Sequence, residues 1–114
     1  MINLIRIIVV TATIYHAVPS QTDSTPFITA SNKHINKENP QGHRWIAVSR
    51  DLEELGFTFG TYVCVENAGN MTGVWRVEDR MNKRWKRRID FLVDEKMKGG
   101  KWENVKISIE STPN

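Results

Sequence analysis

The sequence predicts a small all-β barrel, and three observations carry that prediction. β-branched and aromatic residues come in short runs, turn residues punctuate those runs, and little of the chain reads as helix. With 114 residues and 39% hydrophobic content there is material for one core, so residues 1–114 are expected to form a single domain.

The elements follow in order. Ile5 to His16 is β-branched almost throughout and reads as the first strand. Residues 18–40 are rich in Pro, Ser, Thr, Asn and Asp and read as loop, with a brief extended piece at Pro26-Phe27-Ile28-Thr29. Trp45 to Val48 is a second strand. A helical turn follows over Arg50 to Leu55, where Asp51 and Glu54 have capping-box spacing and Gly56 suits a left-handed helix end. Tyr62 to Glu66 and Gly73 to Asp79 are strands joined through the turn Asn67-Ala68-Gly69-Asn70. Ile89 to Val93 is the next strand, and Asp94 is placed to cap a second short helix that stops at Gly99-Gly100. Lys101 to Glu110 sets Trp102, Val105, Ile107 and Ile109 among polar residues and closes the sheet.

Composition narrows the chemistry. Cys64 is the lone cysteine, which excludes an intramolecular disulfide and a Cys-rich metal site; within Tyr62-Val63-Cys64-Val65 it reads as a small buried apolar side chain. His16, His34 and His43 share no metal-ligand spacing, so neither a metal nor an organic cofactor is expected. The apolar start, Met1-Ile2-Asn3-Leu4-Ile5-Arg6-Ile7-Ile8-Val9-Val10, with Ala17-Val18-Pro19-Ser20 beyond it, has the outline of an export signal, yet it is short and runs on as a strand. No run approaches the ~18 apolar residues of a membrane span. The net charge of +3 is mild but uneven: Lys83, Arg84, Lys86, Arg87 and Arg88 surround Trp85 and offer an anionic polymer a local basic surface.

The most telling residues are Asp79 in Val77-Glu78-Asp79-Arg80 and Asp90 in Arg88-Ile89-Asp90-Phe91. A carboxylate ending one strand, and another after a short basic excursion, can converge on one cleft of a small barrel. Paired carboxylates suit glycosidic-bond chemistry. A structural ion pair between Asp90 and Arg80, Arg87 or Arg88 is the competing reading, and for Asp79 so is a carboxylate that holds a loop through backbone amides.

Six motifs resemble a known group in order along the chain: Val10-Thr11-Ala12-Thr13-Ile14-Tyr15, Ile28-Thr29-Ala30-Ser31-Asn32, Trp45-Ile46-Ala47-Val48, Phe59-Gly60-Thr61-Tyr62-Val63, Glu78-Asp79-Arg80 and Arg88-Ile89-Asp90-Phe91. Together they resemble the double-psi β-barrels of cell-wall metabolism, namely the three-aspartate domain, as in membrane-bound lytic transglycosylase A, and the rare lipoprotein A-like domains. The resemblance implies a six-stranded double-psi β-barrel with one or two short helices and a peptidoglycan partner. By the same resemblance Asp90 is the catalytic acid of a lytic transglycosylase and Asp79 its neighbouring carboxylate; Tyr15, Thr29, Ser49, Arg80, Trp85 and Arg87 are the expected glycan contacts. Asn32 stands where the family usually has Gly, and Asn is the residue that best replaces Gly at positive φ. Gly60 suits a close backbone approach or a plain turn.

The sequence departs from these relatives at two places. Ala47-Val48-Ser49 stands where three-aspartate domains tend to read Ala-Val-Asp, so the third carboxylate is lost unless Asp51 or Asp23 replaces it. Arg80-Met81-Asn82 replaces the usual residues after the first aspartate. Non-catalytic glycan binding, a structural role in a phage virion or lysis apparatus, and nucleic-acid binding through residues 83–88 therefore stand as alternatives, the last ranked below the others because the charge is so local. Location follows the reading: the cell envelope if the protein is exported, otherwise the cytoplasm or a phage particle.

Overall fold

The structure, a computed structural model, describes residues 6–17 and 27–110. The start of the signal-like stretch, residues 18–20 of its cleavage-like region, and Asp23 lie outside the described residues. Six strands close into a barrel: β1 (Ile8–Tyr15), β2 (Trp45–Val48), β3 (Tyr62–Glu66), β4 (Gly73–Arg80), β5 (Arg88–Leu92) and β6 (Lys101–Ile109), in the spatial order β1-β5-β2-β4-β3-β6. β1 runs parallel to β5 and β2 parallel to β4, while the other four pairings are antiparallel. Parallel neighbours cannot be joined by tight hairpins, so the chain crosses the ends of the barrel twice. Closure leaves no free sheet edge.

Alternation along the strands fills the interior. Val10, Ala12, Ile46, Val48, Val63, Val65, Trp75, Val77, Ile89, Phe91, Val105 and Ile107 are buried in one cluster. Trp75 packs on Phe91 at 4.7 Å between ring centroids, and its indole N–H donates to the Met71 carbonyl at 2.8 Å, which satisfies the one polar atom the ring brings inside.

Helix α1 (Arg50–Glu53) is a single turn that seals one end with the fully buried Leu52. Gly56 takes φ +107°, as its left-handed role requires. The capping box does not form: Ser49 holds the N-cap position, and Asp51 accepts the Arg87 N–H at 3.0 Å instead. The second expected helix is absent. Residues 94–97 make one turn, closed by Met97 N–H to Asp94 C=O at 3.0 Å; with Gly99-Gly100 directly behind it there is no length over which a helix nucleus is repaid.

Two irregularities shape the barrel. In β6 the pairing with β1 slips between Val10 and Ala12, and the extra residue region contains Asn104 at φ +58°. In β4 the pairing with β2 steps from Ile46–Val77 to Ala47–Asp79, so Glu78 is the added residue of a β-bulge. Were β4 regular through Glu78, the alternation Trp75, Val77, Asp79 would send the last side chain into the core. With the bulge, Asp79 turns outward beside Ala47.

Outside the barrel, over β1, β5, β2 and β4, a second cluster forms from Tyr15, Ala17, Ile35, Ala47, Met81 and Leu92, with Phe27, Trp45 and Trp85 packed against it. The segment 27–44 lies over this face and gives the aspartates their partly covered setting. Asn32 adopts φ +68°, the conformation expected of it. Gly60 is at φ +89°, and a Cβ there would meet the Arg76 side chain at an ordinary contact distance of 3.9 Å, so its backbone angle, not a close approach, calls for glycine.

Candidate functional site

Strand pairing builds the site. Thr13 in β1 is opposite Asp90 in β5, Asp90 is opposite Ala47 in β2, and Ala47 is opposite Asp79 in β4. Opposed residues share a face, so Thr13, Asp90, Ala47 and Asp79 form one row across four strands on the outside of the barrel. The two carboxylates flank the small Ala47, which puts their Cα atoms two strand spacings apart, roughly 10 Å. Both aspartates expected from the sequence thus occupy the same face.

Asp90 is held by a hydrogen bond from the Thr13 hydroxyl to its Oδ1. Burial pushes its carboxyl above the ordinary aspartate range. The Thr13 hydrogen bond and the Arg88 charge act in the opposite direction, and the negative charge of Asp79 adds to the rise. The balance raises Asp90, the direction that suits a carboxylic acid that must donate a proton.

Among the described residues, Asp79 accepts hydrogen bonds from the Tyr15 hydroxyl at 3.0 Å, from the Ala30 N–H at 3.0 Å and from the Arg80 N–H at 2.9 Å. It therefore joins β1, the 27–34 turn and β4. Burial, then the charge and hydrogen bond of Asp79, raise the Tyr15 phenol well above its usual range, so it remains a neutral donor. Thr29 is buried; its hydroxyl pairs with that of Ser31 at 2.9 Å and accepts the Lys33 N–H at 3.0 Å, closing the turn that Asp79 anchors.

Other expected contacts have different surroundings. Ser49 is fully buried, and its hydroxyl accepts the Arg88 N–H at 3.0 Å and donates to Asp51. Burial alone would raise Asp51, but the hydrogen bonds from Ser49 and from the Arg87 N–H overcome it and lower its carboxyl. Asp51, a candidate for the missing third carboxylate, is thus engaged in fixing the β4–β5 connection. Arg80 turns toward α1 in a two-pronged pair with Glu53, at 2.6 and 3.2 Å, and lies over Phe59. Arg87 is exposed at φ +47°. Trp85 carries two guanidinium groups, Arg88 at 4.2 Å and Arg84 at 4.7 Å from its ring centroid.

Thr13 is the site residue that the sequence reading missed. The outward register Thr11, Thr13, Tyr15 was there to be read, but the pairing of β1 with β5 that brings Thr13 to Asp90 is a tertiary fact. His16 is bonded through Nε2 to the Met97 carbonyl at 2.6 Å. Cys64 is half-buried on the outer side of β3, not in the core. Among the described residues no group of three or more His, Cys, Asp and Glu side chains is arranged to hold a metal ion, and no helix is long and apolar enough to cross a membrane.

A scan against protein-family models finds no match, and no curated protein matches the sequence. Among solved structures, the apo crystal structure of a Clavibacter michiganensis expansin is similar, with a TM-score of 0.58 and 14% identity over 96% of this chain and 52% of that one. The chain spans about half the length of that protein. At this identity the likeness shows the fold, a six-stranded double-psi β-barrel.

Proposed function

We propose that the protein is a cell-wall glycan-active barrel that cleaves peptidoglycan as a lytic transglycosylase, with Asp90 as acid and then base. The observation that carries this reading is a half-buried carboxyl, raised above its usual range, on the outer face of the barrel beside a second carboxylate. Asp90 protonates the glycosidic oxygen between N-acetylmuramic acid and N-acetylglucosamine as the C1–O bond breaks. The resulting carboxylate takes the proton from the C6 hydroxyl of the same muramic sugar, whose oxygen closes on C1 to give the 1,6-anhydro ring. No water is consumed, and the proton returns to Asp90. Asp79 sets a second carboxyl group near the positive charge that develops at C1, and Tyr15 and Thr13 hold the two aspartates in place. The likeness in fold to an expansin supports a polysaccharide partner, and activity on a cell wall fits a protein that reaches the envelope by export.

Binding without cleavage is the second reading. It is favoured by Ser49, which stands where the relatives carry a third carboxylate and is fully buried here. Mass spectrometry of purified peptidoglycan after incubation with the protein separates the two. Anhydromuropeptides are the expected product; reducing-end muropeptides would replace the mechanism with hydrolysis, and unchanged glycan would leave binding alone.

A further inference from the structure

Among the described residues, one cation at this site forms no ion pair. Arg88 is two residues before Asp90 on β5, so both side chains leave the same face of the sheet, about 7 Å apart along the strand. Its backbone N–H is taken by Ser49, and its guanidinium lies over Trp85. Among the described residues that guanidinium forms no ion pair, and its Nε is buried without a hydrogen bond. The contrast with Arg80 is direct, because Arg80 finds Glu53. Arg84 shares the Trp85 ring, so two positive groups converge on one indole beside the carboxylates.

We propose that Arg88, positioned on Trp85 and supported by Arg84, is the seat for a carboxylate of the glycan, so that the substrate is a polysaccharide carrying spaced carboxylates on otherwise neutral sugars. The proposal rests on the glycan reading above and names the substrate class for the same site. The charge pattern decides which anionic polymer fits. A positive group stands one sugar-sized step from the two aspartates, so a glycan can place its carboxylate on Arg88 and an uncharged ring against Asp90 and Asp79. A nucleic-acid strand carries a charge at every nucleotide and would press a phosphate onto the aspartates.

The pairing also bears on the chemistry. The groups facing Asp90 are Thr13 and Tyr15 from β1, Asp79 from β4 and Arg88 from its own strand; β2 contributes only Ala47. Arg88 alone among these charges opposes protonation of Asp90. A substrate carboxylate bound to Arg88 neutralises that opposition, so the correct substrate moves Asp90 further toward the protonated acid it must be.

The test uses glycan strands with their carboxylates intact and the same strands after chemical reduction of those carboxyl groups to alcohols. Binding is measured by calorimetry to the wild type, Arg88→Gln and Arg88→Lys. The intact strands are expected to bind the wild type about tenfold or more tightly than the reduced strands, Arg88→Gln to remove that preference, and Arg88→Lys to restore part of it. In the wild type, the guanidinium NMR signal of Arg88 is expected to shift with intact strands and to stay with reduced ones, a readout that needs no variant to fold. Equal affinity for intact and reduced strands overturns the proposal, as does tighter, Arg88-dependent binding of single-stranded DNA. Since only binding is read, a failure here leaves the cleavage assay above unaffected, and inactivity there leaves this result standing.

Discussion

Two outer faces of one barrel put half-buried ionisable groups to opposite ends. On the face of β1, β5, β2 and β4, Asp90 is half-buried, and burial raises its carboxyl. On the face of β3 and β6, Cys64 sits between Val74 and Ser108, and burial, with Glu110 and Glu66, raises its thiol away from the reactive thiolate. That face leaves Ile7 and Val74 exposed, at 56% and 43%. A shallow cavity of about 390 Å³ is lined by Cys64, Glu66, Lys106 and Ser108 among others. The same desolvation primes an acid and silences a nucleophile, so neither burial nor cavity volume identifies the site. What distinguishes the first face is a bulge that re-aims one carboxylate and a pairing register that brings it level with another.

The largest effect is expected at that bulge. Its added residue, Glu78, is buried and pairs with Arg76 at 2.8 Å. Glu78→Ala removes the partner of that cation and leaves a void under the bulge; the predicted cost is about 2 kcal/mol by urea denaturation. A cost below about 0.5 kcal/mol would show that the buried pair does not hold the bulge.

Asp90→Asn comes next, with a predicted loss of at least about a hundredfold in anhydromuropeptide formation, since the amide cannot cycle a proton. Its stability should move the other way. A carboxyl raised in the folded state penalises folding once it ionises, and that penalty vanishes below the ordinary aspartate value of about 4. The Asn variant should therefore melt higher than the wild type at neutral pH, with the difference closing as the pH falls below about 4.

The order of legibility follows the same physics. β-branched and aromatic runs between turn residues placed all six strands, because strand preference and burial on one face are written locally in residues such as Val63 and Val65 or Val105 and Ile107. Asn32 and Gly56 announced their positive φ angles by residue type. The second helix failed because Asp94 signalled a cap but the residues behind it could not extend a helix. Asp79 and Asp90 were legible as a pair through resemblance, whereas Thr13 and the inward Ser49 depend on which strands become neighbours, and no local pattern states that.

Smaller changes sharpen the contrast. Tyr15→Phe removes one of the donors to Asp79 and should cost about 1–2 kcal/mol in a urea titration, with a loosened 27–34 turn visible by amide hydrogen exchange. Cys64→Ala, on the other face, should change stability by less than about 1 kcal/mol and leave glycan cleavage unaltered; a loss of activity there would mean that the two faces are coupled.

The central claim is that Asp90 is a partly buried acid raised above the ordinary aspartate range by its surroundings, with Asp79 contributing. Carbon-13 NMR titration of the Asp90 side-chain carboxyl in the wild type and in Asp79→Asn tests it most directly. The account predicts a midpoint above the ordinary aspartate value in the wild type and a lower one in Asp79→Asn, where the like charge is gone. A wild-type midpoint at or below the ordinary value, unmoved by the substitution, would make Asp90 an ion-pair partner of Arg88 and contradict the account.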